Sequence, residues 1–172
     1  MKLAEEKKVI LLASDLDLSS GTEAVTKGIN MKGYHHATFL ISFGTLAGGN
    51  TTLKAYSGAT DSVAATTSAI AFKYAYNPST CIFEAAGATP ASGADVLAAE
   101  TTVVAATGLV VAYATYSNFM LVVEVDASDM DVANEEEWLY LEFTKSSTTG
   151  LATIFAILEP RYTSNRSATA LA

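Results

Sequence analysis

Apolar and polar positions alternate with a period of two along much of the chain, as side chains of an extended strand do when they point to opposite faces in turn. In "HATFLISF", Phe39, Ile41 and Phe43 fall on one face and Thr38, Leu40 and Ser42 on the other. "AIAFKYAY" sets Ile70, Phe72, Tyr74 and Tyr76 against Ala71, Lys73 and Ala75, and Asn77-Pro78-Ser79 then reads as a turn into a second strand, Cys81 to Phe83. "NFMLVVEVD" turns Phe119, Leu121, Val123 and Val125 inward, and "WLYLEFT" sets Leu139, Leu141 and Phe143 opposite Trp138, Tyr140 and Glu142.

Weaker strand candidates are residues 7–13, 22–27, 51–56, 102–106, 108–113 and 151–158. The last, "LATIFAIL", is apolar on both faces, which suits a central or covered strand. Many short strands without long helical patterns predict an all-β fold, an antiparallel β-sandwich or jelly-roll-like barrel. One short helix is expected in "ASDMDVANEEE", with Ser128 or Asp129 as N-cap and Asn134 closing it. Between the strands, "GTLAGGN", "SGATDSVAATTS" and "AAGATPASGADVLAAETT" lack large apolar groups and read as loops.

At 172 residues the chain is sized for a single β domain, 1–172, with residues 1–14 as an N-terminal arm and 163–172, within "YTSNRSATALA", as a flexible C-terminal tail. Charged residues make up only 16% of it, below the roughly 25% of a typical soluble domain. No Lys or Arg occurs between Lys73 and Lys145, where eleven carboxylates supply more than the whole net charge of −8. Nucleic-acid affinity comes largely from Lys and Arg displacing counterions, so DNA and RNA are excluded as main partners. No apolar run reaches the roughly 18 residues of a membrane span, and Val9 to Ala13 is too short for a signal-peptide core. Neither a membrane location nor secretion by that route is expected.

Candidate chemistry is sparse. Cys81 is the only cysteine, so an intrachain disulfide is excluded, and it reads as a small buried hydrophobe in "TCIFE". His35 and His36 are adjacent in a strand and point to opposite faces, so they cannot share a metal without a distorted backbone. An EF-hand read from Asp129 puts Asp131 correctly but places Asn134 where glycine is needed and Tyr140 where a bidentate glutamate is needed. The acidic block 124–142 therefore reads as a solvated, capped turn, with calcium in a looser loop as the alternative. No G-x-S-x-G elbow and no Walker A motif occurs, and "AGG" near residue 48 is turn glycine. Neither a cofactor nor enzymatic activity is expected.

Three stretches taken together point further: "KGYHHATFLISFGTLAGGNTTLKAY", "SAIAFKY" and "FMLVVEVDASDMDVANEEEWLYLEFT" followed by "LATIFAILEPRY". In order and spacing, over roughly residues 20–163, they resemble a family of small β-sandwich virion proteins encoded among the head genes of tailed bacteriophages. "VEVDASDMDVAN" and "AILEPRY" carry most of the likeness, and neither is a catalytic motif. The chain departs from that pattern at Glu135–Glu137, where a small turn residue followed by apolar ones is usual, and over its first 18 residues.

The resemblance implies a capsid decoration or cement protein on the outer surface of the virion, made in the host cytoplasm, with the major capsid protein as partner. A homotrimer at local three-fold positions is the expected form. The arm and tail are expected to touch the capsid through Lys7, Val9, Leu11, Tyr162 and Arg166, while the acidic block faces solvent. The alternatives are another head-tail or tail component, separated by the symmetry of the oligomer, and a lectin-like module displayed on the virion, which needs an aromatic-lined groove.

Overall fold

The computed structural model describes residues 3–19, 23–61, 67–77, 96–144, 149–166 and 169–171. Two antiparallel sheets pack face to face as an open sandwich, so the jelly-roll-like barrel alternative is set aside. The first sheet has the order β1 (Lys8–Asp17), β12 (Leu151–Pro160), β4 (Tyr34–Phe43), β10 (Met120–Asp126), β7 (Phe72–Tyr76), β8 (Thr101–Val103). The second centres on β11 (Trp138–Thr144) and β5 (Asn50–Gly58). The short strands β2 (Ala24–Val25) and β3 (Ile29–Asn30) flank β11, while β6 (Thr67–Ile70) and β9 (Leu109–Ala112) flank β5.

The period-two pattern becomes the core. Phe39, Ile41, Leu121 and Val123 from the first sheet, and Leu139, Leu141 and Phe143 from the second, are all fully buried. Phe43 and Phe143 meet edge to face across the sandwich with ring centroids 6.3 Å apart, an arrangement worth about 0.5–1.5 kcal/mol beyond the area it buries.

Four local expectations are corrected. The acidic segment makes two short 3-10 turns, Ala127–Asp129 and Val132–Asn134, instead of one helix; Asp131, not Ser128 or Asp129, caps the second by accepting from the Asn134 N–H. Glu135 stops that turn at φ 58°, and Glu136 then turns into the interior. The α-helical turns lie elsewhere, at α1 (Leu3–Glu6) and α2 (Tyr113–Tyr116).

β11 is covered on both faces, so Glu142, expected to face solvent with the acidic block, is buried, as is Tyr140 on the same face. Tyr140 lies against Gly28 and Gly58, and a Cβ at Gly28 would sit 2.7 Å from its ring.

Both chain ends also differ from expectation. Most of the segment read as an arm is the edge strand β1, paired with β12 from Lys8 to Asp17, in line with the strand expected at residues 7–13; among the described residues α1 and Lys7 precede it. The tail docks on its own chain: the Ala170 carbonyl accepts from the Asn30 N–H at 2.8 Å, and Ala170 joins the core. The expected strand Cys81–Phe83, with Cys81 itself, lies outside the described residues.

Candidate interaction face

The first sheet turns its second face outward, and the strand register arranges that face in rows. One row is apolar across four strands: Leu11 stands opposite Phe155, Phe155 opposite Leu40, and Leu40 opposite Val122. Val9 and Ile157 extend it along the strands. These side chains alternate with core residues, so the same register that buries Ile10, Ala156 and Phe39 turns Leu11, Phe155 and Leu40 to the outer face. Leu11 remains 55% exposed, Val9 48% and Phe155 39%, whereas Val122 is buried, with Leu97 and Ala75 beside it around a depression of about 150 Å³.

Charge borders the row on two sides. Toward the β1 N-terminus, Lys7 is ion-paired with Glu159, whose register neighbour His36 holds its Nδ1 2.7 Å from Asp126 Oδ1. The Lys7 contact holds the Glu159 carboxyl below its ordinary range. Toward β7, Glu124 stands opposite Lys73 in register, but Lys73 is ion-paired with Glu100 at 3.2 Å.

β1 is a sheet edge, yet a poor template for adding another strand. Its pairing slips between Leu11 and Ala13 and again between Ala13 and Leu16, and Asp15 takes φ 53°. Bulges and charges of this kind blunt an edge against pairing, which leaves the face as the better contact surface.

Of the five residues named from sequence, Lys7, Val9 and Leu11 lie at one margin of this face. Lys7, Val9 and Leu11 are spaced by two along β1 and its approach, with Val9 and Leu11 in the apolar rows. Tyr162, 71% exposed, follows β12 and shares a cleft of about 250 Å³ with Glu5 and Glu6 of α1. Arg166 ends the 3-10 turn Thr163–Arg166, and its side chain lies outside what is described. Sequence reasoning missed Phe155, Ile157 and Leu40. "LATIFAIL", apolar on both faces, carried the signal: β12 is an interior strand beside the edge, and among the described residues no other layer covers its outward face.

Elsewhere the titratable groups are drawn apart. His35 is exposed and His36 is committed to Asp126. Within the acidic block, Asp131 caps Asn134, Glu137 pairs with Lys32 at 3.4 Å, and Glu136, only 2% exposed, accepts from Ser57 and Ser68. Burial and the neighbouring Glu23 push the Glu142 carboxyl above its ordinary value. No three His, Cys, Asp or Glu side chains among the described residues are placed to hold a metal ion. A second cleft, of about 160 Å³, is walled by Met31, Ala127, Met130 and Val132.

Compared with protein-family models, with curated proteins and with solved structures, the chain matches none of them. No helix among the described residues is long and apolar enough to cross a membrane.

Proposed function

We propose that this chain is a structural virion protein that decorates and cements the capsid of a tailed phage, lying on its outer surface and bridging neighbouring major capsid subunits as a homotrimer. The reading rests on one observation: the sandwich carries a cross-strand row, Leu11–Phe155–Leu40, that no other layer covers among the described residues. Contiguous apolar surface rimmed by polar residues marks a contact site for another macromolecule. The resemblance of "VEVDASDMDVAN" and "AILEPRY" to phage head proteins supplies the identity of that macromolecule.

A cement protein needs about 800 Å² of contact per partner, repeated by symmetry. Copies held on one shell act together, so modest individual contacts suffice. The margin of the face at β1, with Lys7, Val9, Leu11 and Tyr162, is the part nearest a neighbouring capsomer in this arrangement.

The test is co-sedimentation with shells assembled from the cognate major capsid protein. The protein pellets with the shells and saturates at a fixed ratio to capsid subunits. If it stays in the supernatant at every concentration, the cement role is wrong. An isolated ring of higher order than three assigns it to a head-tail connector instead.

A further inference from the structure

We infer that the occupant of this face is a basic, aliphatic protein segment, with apolar side chains over Leu11, Phe155 and Leu40 and Lys or Arg side chains reaching Glu124 and Asp126. The inference rests on the docking role just proposed and adds the chemistry of the partner surface.

Charge selects this occupant. The two lysines at the rim are each tied to a carboxylate, Lys7 to Glu159 and Lys73 to Glu100. Glu124 and Asp126 follow each other on one face of β10, two residues apart, and among the described residues neither has a Lys or Arg ion pair. Asp126 pairs with the imidazole of His36, and its side chain is 54% exposed. A second copy of this chain, at net charge −8, would bring the same carboxylates with it, whereas a basic segment neutralises them.

Geometry sets the size of the segment. The open part of the row, Leu11–Phe155–Leu40, crosses three strands, about 10 Å at the usual spacing of about 4.8 Å, which an extended stretch of about three residues spans. Beside it, the depression of about 150 Å³ bordered by Ala75, Leu97 and Val122 also has Glu124 in its wall. That combination suits a Lys or Arg side chain, whose aliphatic stem packs on apolar surface while the head meets carboxylate.

The test uses a fluorescently labelled alternating Leu-Lys peptide and its Leu-Glu counterpart, titrated against the full chain by anisotropy. The Leu-Lys peptide binds, and its affinity falls at least about tenfold in Phe155→Asp and in Glu124→Gln/Asp126→Asn, both checked for native circular dichroism. The Leu-Glu peptide does not bind. Equal binding of the Leu-Lys peptide to all three proteins, equal binding of both peptides, or no binding overturns the inference. So does a dimer in sedimentation that Phe155→Asp dissociates, because the occupant is then a second copy.

The same variants separate this inference from the cement role in the shell assay. Loss of shell binding in Phe155→Asp with full retention in Glu124→Gln/Asp126→Asn ends the inference and leaves the role standing. Shells that bind nothing, with the peptide results as expected, do the reverse.

Discussion

Ser57 donates its hydroxyl hydrogen to the Glu136 carboxylate at 2.5 Å, in a place where neither residue meets solvent. Ser68 supplies a second donor at 3.1 Å, so strands β5 and β6 together hold the acidic segment against the second sheet. A buried carboxylate that loses a donor keeps its desolvation cost without the compensation. Ser57→Ala therefore lowers stability by about 1.5–3 kcal/mol, the range for hydrogen bonds to charged groups, read from the urea midpoint. A loss below about 0.5 kcal/mol, typical of a neutral surface change, contradicts the latch.

Gly108 sits at φ +68°, and a Cβ there would lie 2.7 Å from both the Leu53 carbonyl oxygen and Lys54 Cγ. Conformation and space both resist a side chain at the turn into β9. Gly108→Ala is expected to cost about 1–3 kcal/mol in thermal or urea unfolding. Unchanged stability shows that the turn can reshape.

Glu142 gives a pH dependence of definite sign. Its native carboxyl titrates above the ordinary value of 4.5, chiefly through burial and then through Glu23. As pH rises from about that value, the native state keeps a proton that the unfolded chain has released, so this group's contribution to stability falls. Glu142→Gln removes the loss. Relative to wild type, the variant is more stable at pH 7 than at pH 4; an identical difference at the two values refutes the assignment.

Because β1 is a paired strand, deleting residues 1–12 strips half of an edge from β12 and lowers stability as well as contact. A point change separates the two effects. Leu11→Asp, at a side chain 55% exposed, shifts unfolding by less than about 0.5 kcal/mol while abolishing shell binding. Wild-type binding by a folded Leu11→Asp protein removes β1 from the interface.

The inward positions were legible because a strand's side-chain period is two: Phe39, Ile41, Leu121 and Phe143 are read directly from alternation and all lie in the core. β11 was half legible. Its alternation set Tyr140 and Glu142 on the face opposite Leu139, Leu141 and Phe143, and nothing local in "WLYLEFT" signals that Gly28 and Gly58 leave room for a ring to be covered there. Glu136 was misread with its neighbours because three consecutive glutamates look solvated. Its burial depends on Ser57 and Ser68, more than sixty residues away in the chain.

The interaction face shows the same division. Lys7, Val9 and Leu11 could be named from a local apolar run, but their company could not. The row that joins Leu11 to Phe155 and Leu40 exists only once β12 is placed between β1 and β4, a non-local arrangement that alternation alone does not specify. The tail misled for a related reason. Its small polar residues carry no apolar signal, yet Ala170 finds a backbone partner in Asn30.

The most direct measurement is a cryo-EM map of shells incubated with the protein, at a resolution that traces the strands. The proposed role predicts that the first sheet lies with Leu11, Phe155 and Leu40 against capsid density and the second sheet toward solvent. A bound protein with that row facing solvent contradicts it.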